Sequence, residues 1–241
     1  MTATARKRAL LLVSCLLAAA LFAALGAWQV QRLSWKRDLI ARVDARIHAS
    51  PVTPPSRREW PSLDVRDVEY RRVELHGRFL HDRETLVDAL TARGPGAWVL
   101  TPLQTADGVV LVNRGFVPPE RRDPATRREG LAESEVSVTG LLRASEPGGR
   151  VLRPNAPEAE RWFSRDVVAI AQRRGLTDVA PFFVDAEAGL DADRFPVGGL
   201  TVVRFRNAHL AYAVTWFGLC ALCLAGVVLL LRESRSRIPP T

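Results

Sequence analysis

The chain has 241 residues, 47% of them hydrophobic and 25% charged, and a formal net charge of +8. Five units of that charge lie in the first eight and last ten residues, leaving 28 basic against 25 acidic residues between, so the charge does not mark a nucleic-acid binder. All three cysteines (Cys15, Cys220, Cys223) fall in apolar end segments, which excludes a disulfide-stapled or thiolate-metal aqueous domain.

Ala9 to Val30 is a run of 22 residues without Asp, Glu, Lys, Arg or His, and so is Leu210 to Leu231. At helical rise each spans about 33 Å, enough for a hydrocarbon core of about 30 Å. The expected organisation is therefore a tail (1–8), a transmembrane helix (9–30), an aqueous domain (31–209), a second transmembrane helix (210–231) and a second tail (232–241). Arg6, Lys7 and Arg8, with Arg232, Arg235 and Arg237, place both tails in the cytoplasm and the domain outside. Arg32, Lys36, Arg37, Arg204 and Arg206 flank the spans on the other side, but long loops cross largely regardless of charge. The first apolar run exceeds a signal-peptide core. Leu12-Val13-Ser14-Cys15 resembles a lipoprotein cleavage site, yet cutting there would leave too short a core before it, and an uncleaved anchor is expected.

After the first span the helical pattern continues, with Trp28, Arg32 and Trp35 on one face and both tryptophans at interfacial depth. It should end before Ser50-Pro51, and Pro51, Pro54 and Pro55 mark a linker. The middle reads as β-rich. Strands are expected at 70–79, 85–90, 97–103, 109–117, 136–142, 182–184 and 200–205, with a hairpin at Ala106-Asp107-Gly108. Glu158 to Arg174 has the apolar spacing of a helix, stopped by Gly175. These elements predict a membrane protein in which two terminal transmembrane helices flank an α+β domain with a mainly antiparallel β-sheet or partly closed barrel. Pro118 to Glu129, with four arginines and three prolines, reads as a solvated loop or a contact for an acidic partner or anionic headgroups.

Catalytic signatures are missing: the sequence holds no G-x-S-x-G, Walker A, G-x-G-x-x-G or H-E-x-x-H pattern. His76 and His81 lack the further residues that would complete a metal site. Cys220-x-x-Cys223 lacks the polar setting that activates thiols and reads as helix contact. His209 differs because it opens the second span, with Tyr212 and Trp216 following on the same helical face. An imidazole beside flat aromatic walls could ligate haem iron; the alternative is an interfacial histidine, with Asn207 capping the helix and the aromatics setting its depth.

Five separated motifs occur in order between the spans: Gly26-x-Trp28-Gln29-x-x-Arg32-x-x-Trp35-Lys36, Gly77-x-Phe79, Val112-Asn113-Arg114-Gly115-Phe116-Val117-Pro118, Thr139-Gly140, and Asn207-x-His209-Leu210-x-Tyr212-x-x-Thr215-Trp216-Phe217. In these the chain resembles the surfeit-locus-protein-one (Shy-type) family of cytochrome oxidase assembly factors, from about Leu25 to Gly218. The family pattern has Trp where this chain has Phe116, a swap that keeps an aromatic wall. The resemblance implies an assembly factor, not an enzyme, that assists haem a insertion into the catalytic subunit of a haem-copper oxidase. It implies that haem a is held transiently, with His209 as the metal ligand. Trp28, Arg32, Tyr212 and Trp216 are then expected to complete the cofactor-binding surface, Arg32 facing a haem propionate. The expected partners are that catalytic subunit, the lipid bilayer, and haem a synthesis or delivery proteins. The expected location is a bacterial inner membrane, multi-pass, with both termini cytoplasmic. Glycines 77 and 115 suit close backbone approach in a sheet, and Arg114 either a buried ion pair or a binding surface. A membrane-tethered enzyme with an extracytoplasmic site and a structural subunit of the mature oxidase are the rival readings.

Overall fold

The computed structural model describes residues 3–131, 134–189, 194–201, 205 and 207–235. The chain divides into two compact units, Met1–Arg42 with Arg204–Thr241, and Val43–Val203. Its α-helices are α1 (Ala3–Ile47), α2 (Val65–Val68), α3 (Val167–Arg173) and α4 (His209–Arg235). Its strands are β1 (Arg72–Phe79), β2 (Thr85–Thr91), β3 (Gly94–Thr105), β4 (Gly108–Val117), β5 (Val136–Ala144), β6 (Gly149–Arg150), β7 (Arg153–Pro154) and β8 (Val179–Ala186).

Helices α1 and α4 form the core of the first unit, and both are long and apolar enough to cross a membrane. Large apolar side chains such as Leu10, Leu17, Leu222 and Leu229 point outward, as lipid-facing residues do. α1 continues past the apolar run and stops before Ser50, because Pro51 disfavours helical geometry in its predecessor. The helices run antiparallel: His209 meets Gln29, and seven residues on, Trp216 stacks on Phe22, with ring centroids 5.7 Å apart. Ala19, Gln29 and Leu33 of α1 and Ala213 of α4 are buried. A Cβ on Gly26 would lie 2.7 Å from the Phe217 ring, so the glycine admits the aromatic side chain between the helices.

The second unit is built on a six-stranded sheet in the order β1-β5-β8-β4-β3-β2. A short pairing of β1 with β3 (Arg78 with Gln104, Phe79 with Leu103) joins five of these strands into a partly closed barrel, with β2 continuing the sheet beyond β3. All pairings are antiparallel except β4 with β8. Closure depends on Gly77: a Cβ there would sit 2.1 Å from the Gln104 carbonyl oxygen. Thr105 pairs with Gly108 across Ala106-Asp107, the expected hairpin, and Thr105 Oγ1 accepts from the Asp107 amide at 3.2 Å.

Alternation decides the core. Val73, Leu75, Val110, Val112, Phe182 and Val184 fill one cluster, while Leu111 and Phe183, one residue out of phase, meet Trp162, Val167 and Ile170 on the opposite face. β4 and β8 are thus covered on both sides, which is why their sequences read as continuous apolar runs.

The helix expected over 158–174 is much shorter. Pro157–Ala159 is a single 3-10 turn, Glu160 takes a left-handed conformation, and Trp162 makes a bridge to Val87 of β2. Helix begins only after Asp166, whose carboxylate accepts from the Ala169 amide at 3.1 Å. Asn155 accepts from the Phe163 and Ser164 amides, tying that segment down in a non-helical bend. Gly175 ends the helix with φ +60. The strand expected at 200–205 is absent at its described residues, Leu200, Thr201 and Phe205; 202–204 lie outside the described residues.

Arginine-rich Pro118–Glu129 is not a free loop. It forms 3-10 turns at Pro119–Arg121 and Pro124–Gly130, and Arg127 is buried in a bidentate pair with Glu84, its Nη1 donating at 3.0 Å. Glu84, itself buried, needs a cation, and the loop supplies it. Arg122 pairs with Asp88 at the exposed edge.

Candidate functional site

His209 is the first residue of α4, and its position is set by a neighbour the sequence reading passed over. Gln29 is buried, and its Oε1 lies 2.7 Å from His209 Nδ1. An amide oxygen only accepts, so Nδ1 is the donor of this contact, and Nε2 is the ring nitrogen that Gln29 leaves unengaged. This is the arrangement in which a second residue orients an imidazole as a ligand. Gln29 was visible as the second-to-last residue of an otherwise almost wholly apolar run, and it belongs to the first of the five motifs.

The other expected residues separate into two sets. His209 and Trp216 turn to α1, Trp216 stacking on Phe22 at an interplanar angle of 20°. Tyr212 and Trp28 are more than half exposed. Arg32 lies over the Trp35 ring at 4.3 Å, and Lys36 over Phe205 at 4.9 Å. Arg32 and Lys36 are thus both held against aromatic faces. Asn207 does not cap α4: its Oδ1 is buried without a partner.

No group of three or more His, Cys, Asp or Glu able to hold a metal ion occurs among the described residues. A bare ion needs such a set, whereas haem brings four nitrogens and asks the protein for an axial donor. One oriented imidazole, flat aromatic neighbours and a buried unfilled acceptor at Asn207 fit haem better than an ion.

In the second unit, Asn113 donates to Asp185 at 2.7 Å, and Asp185 also accepts from Arg143 and Arg165, each at 3.0 Å. Arg165 in turn pairs with Glu146. Burial alone would raise the Glu146 pKa, but the hydrogen bonds and charge of Arg165 hold it below the ordinary 4.5. This network ties β4, β5 and β8 together, so the asparagine of the third motif has a structural task. The arginine beside it, Arg114, is half-buried, stacks on Phe79 at 4.9 Å and donates through Nη2 to the Gly130 carbonyl.

Two apolar helices in antiparallel contact, joined in sequence to a mixed-barrel α+β domain, define a membrane protein with an oriented histidine at the head of its second helix. The SURF1 family matches residues 16–221, and the chain belongs to that family. It is 39% identical to Surfeit locus protein 1 of Rattus norvegicus over 214 residues, covering 82% of this chain and 68% of the rat protein. It is also 39% identical to the Homo sapiens protein of that name, over 82% of this chain and 69% of the human one. A SURF1-like protein of Drosophila melanogaster is 35% identical over 89% of this chain and 74% of its own length.

Proposed function

We propose that the chain is an assembly factor for a haem-copper cytochrome c oxidase and that it holds haem a while the cofactor enters the catalytic subunit. Family membership supports the assembly role, and the Gln29–His209 pair is the observation that carries the haem reading. Haem bound here would supply an iron centre that accepts a nitrogen donor. His209 Nε2 would be that donor, with Gln29 orienting the ring, and Trp216 stacked on Phe22 would offer a rigid aromatic wall. Arg32, released from Trp35, is the group that would pair with a propionate, because a guanidinium matches a carboxylate in fork geometry. The chain's work is binding and hand-over; no bond-making step is assigned to it. Its location is a bacterial inner membrane with both tails in the cytoplasm, a reading supported by the basic tails and by the antiparallel helices.

Haem a added to the purified chain in detergent tests the ligand. Wild type should give the shifted visible bands of an imidazole-ligated haem, and His209→Ala should lose them. Identical spectra for the two would end the ligand assignment.

A further inference from the structure

The second unit contains a cavity of about 630 Å³, lined in part by Arg114 of the third motif. Among the described residues its charged walls are Arg93, Arg114 and Arg194, against one carboxylate, Glu129. Phe195, Val197 and Leu200 make much of the remainder, so the positive charges face an apolar space. Arg114 is the decisive residue. It pairs with no carboxylate among the described residues, and its Nη1 is buried without a hydrogen-bond partner. Glu84 is the acid that attracts it, and that acid is already bound to Arg127. Arg127 and Arg194 repel it, and burial above all pushes its pKa down to about 10, so it stays charged at neutral pH. A guanidinium nitrogen buried without a partner of its own is costly, and an anion entering the cavity would relieve that cost.

We infer that this cavity is a binding site for a small amphiphilic carboxylic acid, its carboxylate facing Arg114 and Arg194 and its apolar body against Phe195, Val197 and Leu200. The volume is that of a small-molecule pocket rather than of a protein interface. A carboxylate is favoured over phosphate because apolar walls penalise a second charge, while a single carboxylate matches the guanidinium fork. The site belongs to the Val43–Val203 unit and is independent of the haem reading.

Saturation-transfer NMR on the full chain in lipid nanodiscs tests this, with hexanoate as the probe and hexanol and inorganic phosphate as comparisons. Hexanoate should bind saturably, with hexanol and phosphate about tenfold weaker or more, the scale of one hydrogen bond to a charged group. Arg194→Gln should weaken hexanoate to a similar degree, and Leu200→Trp, which fills the cavity and keeps every charge, should abolish binding in a chain that still folds by circular dichroism. Arg114→Gln should also weaken it, and the other two variants decide the matter if that one does not fold. Equal binding of hexanol, or full binding by Leu200→Trp, would overturn the proposal. So would tighter binding of a capped Leu-Glu-Leu peptide than of hexanoate, which would make the site a protein contact. Asp191 and Asp193 lie outside the described residues. If their double Asn variant bound hexanoate about tenfold more tightly than wild type, the chain's own acids would be the occupants and the inference would fail.

Discussion

At the residue scale, the chain spends its buried polar groups on orientation. Gln29 could have been a tolerated amide near a helix end, yet it is the partner that leaves His209 Nε2 available. Gln29→Leu should therefore weaken haem a binding by about tenfold or more, the usual effect of losing a group that orients a ligand, while His209→Ala abolishes the ligated spectrum. Haem titrations followed by visible absorbance separate the two. Arg127 and Glu84 make the opposite point, since both are buried and neither is near His209 in sequence. Arg127→Met should destabilise the domain by about 3 kcal/mol, because it leaves a buried carboxylate unpaired, and denaturant unfolding measures it. Glu146 adds a pH dependence. Its pKa is lowered on folding, so the unfolded chain takes up its proton first as pH falls. Its contribution is complete above the ordinary value of 4.5 and disappears as pH drops through the lower folded value. The unfolding midpoint of Glu146→Gln should accordingly vary less with pH below about 4.5 than that of wild type. His209 and Trp216 were legible as residues because both interrupt or flank an apolar run. Gln29 was not singled out, since its role depends on a partner 180 positions away.

At the element scale, the strands were readable and the helix of the domain was not. Alternation and turn residues located β1 to β5 and β8 within a few positions, because those signals are local. Glu158–Arg174 misled because its apolar residues serve two elements: Trp162 packs beside β2, and only Val167 and Ile170 belong to a helix. The Asn155 side chain that holds the Phe163 and Ser164 amides out of a helix is a contact that no periodicity carries. Arg127 was hidden in the same way, for a run of arginines and prolines looks solvated until a buried Glu84 claims one of them. The barrel's closing pair was likewise unreadable, but its glycine was visible. Gly77→Ala should cost about 3 kcal/mol, as the new methyl group meets a backbone carbonyl that cannot rotate away. Gly189→Ala, which meets nothing within 4 Å, is the control and should leave the unfolding midpoint unchanged.

At the scale of the whole molecule, two uncharged runs located two helices long and apolar enough to cross a membrane before any contact was known. The antiparallel contact of α1 and α4 puts the start of α1 and the end of α4 at the same end of the helix pair. Tags on both termini should therefore be protected from protease added outside intact cells and become accessible together on lysis, while the domain is cleaved from outside in spheroplasts. Placement of the two termini on different sides would dismantle the membrane reading. Function was legible only through the ordered motifs, since single residues such as His209 admit a bland interfacial role. The most direct test of the assembly role is the reduced-minus-oxidised haem spectrum of membranes from cells lacking this gene, with cytochrome c oxidase activity read in parallel. The account predicts a loss of haem a absorbance and of oxidase activity, restored by the wild-type gene and poorly by His209→Ala. Unchanged haem a content and oxidase activity in the deletion strain would contradict it.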